Sequence, residues 1–124
     1  MKSFLTGLAV LLTCAGYVAC TSEQAPKPGT SVNCATTVVT SARIYAIVQQ
    51  NCTNRNCHPG SGAPLNADFS SLAKLKSYIS NNGTSWRARV TDLTADMPQF
   101  MGYPALSRAT RDSIACWVNK GMPD

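Results

Sequence analysis

The sequence predicts an all-α fold of about three main helices. Three stretches carry apolar residues at helical spacing between recognisable caps, and no stretch alternates apolar and polar residues as a strand would. The first helix is expected over 40–51, where Ile44, Ile47 and Val48 share a face, and it leads directly into Cys52. The second is expected over 71–80, with Leu72, Leu75 and Ile79 on one side. Asp68, Ser70 and Ser71 are its possible N-caps, and Asn81-Asn82-Gly83 reads as its stop. The third is expected over 108–120, capped by Ser107, striped by Ile114, Trp117 and Val118, and stopped by Gly121. Between the first two, His58-Pro59-Gly60-Ser61-Gly62-Ala63-Pro64 is loop chemistry. A longer irregular stretch is expected over 84–106, containing Trp86, Met97-Pro98, Met101 and Pro104.

The first 31 residues read as export and tether. Lys2 supplies a positive n-region, and 4–12 is an apolar run too short to span a bilayer as a mature helix. It continues to Tyr17-Val18-Ala19-Cys20, which resembles the lipobox of bacterial lipoproteins, where the cysteine is lipidated and becomes the new N-terminus. The reading is a lipoprotein-type signal over 1–19 and lipidation at Cys20. The alternative is ordinary signal cleavage that leaves Cys20 free. Residues 20–31 are polar, with Pro and Gly and no large apolar side chain, as suits a flexible tether. One domain is expected over 32–124, a size that buries a limited core and gains from a staple or cofactor.

Charge excludes one broad class. The formal charge of +5 falls to +4 with the removal of Lys2, and no basic run is present. Lys74, Lys76, Arg87 and Arg89 read as solvated positions, and no nucleic-acid partner is expected.

Each of the six cysteines of an exported chain calls for an assignment. Cys14 lies in the signal and Cys20 is the lipidation candidate, which leaves Cys34, Cys52, Cys57 and Cys116. Four cysteines allow three pairings. One of these sets Cys52–Cys57 apart from Cys34–Cys116, and the same division follows if Cys52 and Cys57 hold a cofactor. A bridge from Cys34 to Cys116 would close a loop worth about 4–5 kcal/mol by the chain-entropy estimate.

The stretch that carries chemistry is Cys52-Thr53-Asn54-Arg55-Asn56-Cys57-His58. In the usual haem-attachment signature, C-x-x-C-H, each thiol adds across a haem vinyl group, and the following histidine ligates the iron. Here four residues separate the cysteines. The Cys57-His58 pair is retained, so the two extra residues need only bulge outward. The competing reading is a Cys52–Cys57 disulfide beside a bystander histidine. His58 is the sole histidine of the chain and stands where the haem reading needs it. Met97, a soft neutral donor in a proline-containing loop, follows about 40 residues later. Zinc fits less well, because Cys57 and His58 are neighbours and no second knuckle accompanies them.

From Cys34 onward the chain resembles the small monohaem cytochrome c domains of exported bacterial lipoproteins. The resemblance rests on Ile44-Tyr45-Ala46-Ile47-Val48-Gln49-Gln50-Asn51-Cys52 ahead of Cys57-His58, then on Asp96-Met97-Pro98. It ends on Leu106-Ser107 with Ile114, Trp117, Val118 and Gly121. That family closes with M-P, then L-S-x-x-E, then I-x-x-W-[IV]-x-x-G. Thr110 replaces the glutamate here, which weakens the capping box but keeps the Ser107 cap. The resemblance implies a cytochrome c-like fold around one covalent haem c, with terminal helices packed across each other and a methionine loop closing the distal side. It also implies Met97 as the distal ligand, with Met101 and Met122 as competitors, and it supports a Cys34–Cys116 disulfide.

The function expected is electron transfer on the periplasmic side of a bacterial membrane, lipid-anchored, with a redox protein partner that can present an acidic face. An enzyme is not expected. Trp86, Tyr78, Arg87 and Arg89 are candidates to meet the haem propionates. Two other readings stand beside this one. If Met97 does not ligate, a five-coordinate haem enzyme or sensor follows, although no second histidine or glutamate serves as a distal acid or base. Without haem, the chain is a disulfide-stabilised lipoprotein binding module.

Overall fold

The computed structural model describes residues 32–124; the signal, Cys20 and the tether lie outside the described residues. The described residues are all-α. They form α1 (Ser41–Val48), α2 (Leu72–Asn81), α3 (Gly83–Trp86) and α4 (Arg108–Asn119), with no strand among them. No helix of these residues is long and apolar enough to cross a membrane.

Helix α1 begins where Thr40 caps it, its hydroxyl accepting from the Arg43 amide at 3.4 Å. Ile44 and Val48 are buried on its inner face. Its last turn then widens to a π turn over Gln49–Thr53, the Asn54 amide donating five residues back to Gln49. Such a turn inserts a residue into the helical register and is frequent at functional sites. Here it carries Cys52.

Of the three cap candidates for α2, Ser71 is the one used, accepting from the Lys74 amide at 3.3 Å. Leu75 and Ile79 are buried, as their spacing predicts. Asn82 leaves the helical conformation at φ −131°. The chain does not become irregular there. It enters α3 at once and continues through a second π turn, Arg87–Thr91. This corrects the expectation of a loop from residue 84. Asn81-Asn82-Gly83 is a junction between two helices, and Trp86 and Val90, one turn apart and both buried, are the apolar pair that holds the second.

Helix α4 keeps its Ser107 cap, which accepts from the Thr110 amide at 3.1 Å. The Thr110 hydroxyl lies 2.8 Å from that of Ser107, so the threonine completes a small capping arrangement of its own. Gly121 ends the helix at φ +80°, a left-handed position that favours glycine.

The core joins α1, α2, α3 and α4 through Ile44, Val48, Leu75, Ile79, Trp86, Ile114 and Trp117. Helices α1 and α4 are in contact. Their junction is polar at one point: Trp117 Nε1 donates to Ser41 Oγ at 3.2 Å and to the Pro123 carbonyl at 3.0 Å. The Ser41 amide and hydroxyl donate to the same carbonyl at 2.9 and 2.8 Å. One buried indole thus ties the start of α1 to the segment after α4. Beside it, Cys34 and Cys116 form a disulfide across 82 residues of chain, with Cα atoms 5.2 Å apart and Cys116 fully buried.

Candidate functional site

The loop after α1 closes on a single carbonyl. The Cys57 and His58 amides both donate to the Cys52 carbonyl, at 3.3 and 3.2 Å, and the Asn56 amide donates to Thr53 at 3.0 Å. Asn56 takes φ +57°, a left-handed conformation that asparagine tolerates better than most residues. The four residues between the cysteines therefore form a closed turn, and Cys52, Cys57 and His58 stay adjacent.

All three line one cavity of about 830 Å³. That lies within the range of about 300–1,000 Å³ usual for small-molecule and cofactor sites. Met97 lines the same cavity, as do Tyr78 and Trp86. The sequence-predicted residues, 45 positions apart at their extremes, are brought together. Cys52 and Cys57 are free thiols, not bridged to each other. Burial pushes the Cys52 thiol up to about 11, reinforced by Cys57 and opposed by Arg55. It is therefore protonated at neutral pH.

His58 is held in one tautomer. Its Nδ1 lies 2.8 Å from the Ala67 carbonyl. A carbonyl only accepts, so Nδ1 carries the proton and Nε2 keeps its lone pair. Burial lowers the imidazole below its ordinary 6.5, against the Ala67 hydrogen bond that raises it, and the neutral form is favoured. The ring also packs on Phe69, centroids 4.7 Å apart. Phe69 is buried and is itself fixed by edge contacts with Tyr78 and Trp86 at 5.3 and 5.7 Å. Its carbonyl accepts from Tyr45 and Thr53 hydroxyls. A metal-binding histidine commonly shows this pattern, one ring nitrogen fixed by a backbone carbonyl and the other left basic.

Met97 is half-buried and Met101 is 59% exposed, although both line the cavity. Met122 is not among the lining residues. Arg89 lines the cavity and pairs with Asp96 at 3.1 Å. Arg87 does not line it. It faces a separate cavity of about 310 Å³ with Asp92 and Arg108, which removes it from the set expected at the main site. The two arginines are only two positions apart on a helical turn, so they point to different sides of Trp86.

Sequence reasoning missed Arg55. It sits within the turn between the cysteines and stacks over the Tyr103 ring, 4.3 Å from its centroid. Its Nη1 and the Nε1 of Trp86 are buried donors without a hydrogen-bond partner, and both residues line the cavity. A buried donor of this kind fits a ligand that brings acceptor oxygens. The only signal available in sequence is the presence of a long cation within a short turn. Among the described residues, no three His, Cys, Asp or Glu side chains group as for a metal ion. The site therefore offers one imidazole, one or two thioethers and two thiols around a largely apolar space.

No protein-family model matches the chain, and neither the curated proteins nor the solved structures contain a match.

Proposed function

We propose that the chain is an electron-transfer monohaem c-type cytochrome, exported and lipid-anchored at Cys20, with a cytochrome c-like fold. One haem c is attached through Cys52 and Cys57 and ligated by His58 and Met97. The observation that carries this reading is that two unbridged thiols, a tautomer-fixed neutral imidazole and a half-buried thioether line one cavity of about 830 Å³.

The residues fit the group. The cysteines supply the two thioether positions, and the closed turn between them accommodates the longer spacing. Trp86, Arg55, Tyr78 and Arg89 supply donors on the cavity wall for two carboxylates. When bound, the haem iron supplies one-electron chemistry, and a His/Met ligand set favours its reduced state. The chain's own contribution is placement and exclusion of water. Phe69 and Ala67 set the His58 ring. Trp86, Val90 and Phe69, all buried on the cavity wall, keep its environment apolar.

Protein exported from a host with haem-attachment machinery tests the function. The expected result is a reversible one-electron titration and a reduced form that does not take up carbon monoxide. Ready carbon monoxide binding would favour the five-coordinate enzyme or sensor. Colourless protein would leave the disulfide-stabilised binding module.

A further inference from the structure

The chain from Asp92 to Leu106 contains only the short turn Gln99–Met101 as regular structure. Most of its backbone hydrogen bonds are local: Ala95 to Asp92, Phe100 to Asp96, Gly102 to Gln99. Such bonds shape a loop without fixing where it stands. The longer-range ties are few. The Met97 amide donates to the Arg89 carbonyl at 2.9 Å. Arg89 also pairs with Asp96 at 3.1 Å, and Arg55 stacks on Tyr103. The largest group of side-chain hydrogen bonds to the segment comes from one residue of α4.

Arg111 is only 6% exposed. A guanidinium has five N–H donors. Nε donates to the Leu106 carbonyl at 3.2 Å, and Nη1 to the carbonyls of Val90 and Ala95 at 3.2 and 2.9 Å. Nη2 donates to the Met97 carbonyl at 3.5 Å and to Gln99 Oε1 at 3.0 Å. Five donors meet five acceptors, all between residues 90 and 106. Among the described residues no ion pair involves Arg111. Asp96 stabilises the charge only from beyond ion-pair distance, and burying such a cation is an expensive way to fill a core that an apolar side chain could pack. What the guanidinium adds is a rigid fork that fixes several carbonyls at once. Its own base is firm. Five residues further along α4, Cys116 is bridged to Cys34, and Trp117 is bonded to Ser41.

We propose that Arg111 is the positioning residue for Met97, holding the methionine segment at the cavity so that the thioether reaches the iron. This rests on the ligand assignment proposed above. Met97 is held at both of its backbone groups, its N–H by Arg89 and its C=O by Arg111. The sulfur's place is thereby set jointly from the Arg87–Thr91 turn and from α4, and not by the loop alone.

The test is Arg111→Lys in haem-loaded protein, read by amide hydrogen exchange and by the sulfur-to-iron charge-transfer band of the ferric form. Lysine keeps the charge but has three donors and no planar fork. The expected result is exchange at the Met97 amide faster by about ten- to a hundredfold, the change expected from losing one hydrogen bond to a charged donor. Amides of α1 and α4 keep their rates, and the charge-transfer band weakens or disappears. An unchanged Met97 amide would overturn the proposal, as would a rise spread evenly over all four helices, which marks a merely structural role. If the wild-type protein shows no charge-transfer band, the ligand assignment fails, and the exchange result alone decides the placement of the segment by Arg111. Should Arg111→Lys not fold, Gln99→Ala removes one of the five acceptors. Faster exchange confined to Met97 and its neighbours would then support the proposal, and unchanged rates would overturn it.

Discussion

The Nδ1 of His58 lies 2.8 Å from the carbonyl oxygen of Ala67, nine residues further along the chain. Because that oxygen can only accept, the contact selects the tautomer with a free Nε2 lone pair. The same loop that supplies Ala67 supplies Phe69, whose amide donates to the His58 carbonyl at 3.2 Å and whose ring packs on the imidazole. Ring orientation and tautomer are therefore set by one short segment, 67–69.

Phe69 is the hub of that arrangement. Phe69→Ala should lose about 3–5 kcal/mol of stability, the range for truncating a buried aromatic. It should also release the His58 ring. Urea unfolding measures the first effect, and the imidazole resonances of the sole histidine report the second. Loss of under about 1 kcal/mol would mean that the aromatic cluster of Phe69, Tyr78 and Trp86 does not hold the site.

The two methionines on the cavity wall should behave differently. Met97 is half-buried and tied at both backbone groups, whereas Met101 is 59% exposed on a short turn. Met97→Ala should abolish the sulfur-to-iron charge-transfer band, lower the reduction potential and open the iron to cyanide or carbon monoxide. Met101→Ala should leave all three unchanged. Visible spectroscopy with a redox titration separates the two variants.

Much of this was legible in sequence, for physical reasons that can be named. The caps Ser71 and Ser107, and the buried pairs Leu75/Ile79 and Ile114/Trp117, are local patterns that survive without tertiary context. Grouping Cys34 with Cys116 needed only the separation of the close pair Cys52 and Cys57. Helix α3 was hidden because an Asn-Asn-Gly junction looks like a terminator, and because its apolar face is a single pair, Trp86 and Val90. Arg111 was hidden for a different reason. A charged residue on a helix reads as solvated, and its burial depends on carbonyls 12 to 21 residues upstream that no local pattern places. Arg55 escaped notice in the same way, since its stacking partner Tyr103 is far along the chain.

The disulfide should contribute heavily to so small a domain. It spans 82 residues, for which the chain-entropy estimate is about 4–5 kcal/mol. The double variant Cys34→Ser, Cys116→Ser should fall by a large part of that amount in chemical unfolding, and reduction of the native protein should do the same. Because the bridge anchors α4 near Trp117, the loss should be accompanied by increased Trp117 exposure in fluorescence quenching.

Acid should weaken the segment between the site and α2. The Asp68 carboxyl is held down to about 2, first by the hydrogen bond from Lys74 at 2.7 Å and then by Ser70. Its folded pKa lies below the ordinary 3.8. The contribution is therefore complete above that value and is lost as pH falls toward about 2. Thermal midpoints of wild type and Asp68→Asn should differ at pH 7 and converge as the acid limb is descended. Parallel curves down to the lowest pH would show that this carboxylate does not couple to folding.

Intact mass of the exported protein decides whether Cys52 and Cys57 carry a haem. Protein from a host with haem-attachment machinery should weigh more than its processed polypeptide by one haem. The pigment should stay with the chain through acid-acetone extraction, and a double variant Cys52→Ala, Cys57→Ala should lose both properties. A colourless protein at the mass of the bare polypeptide, with Cys52 and Cys57 recovered as a linked pair in non-reducing peptide maps, would rule out haem attachment.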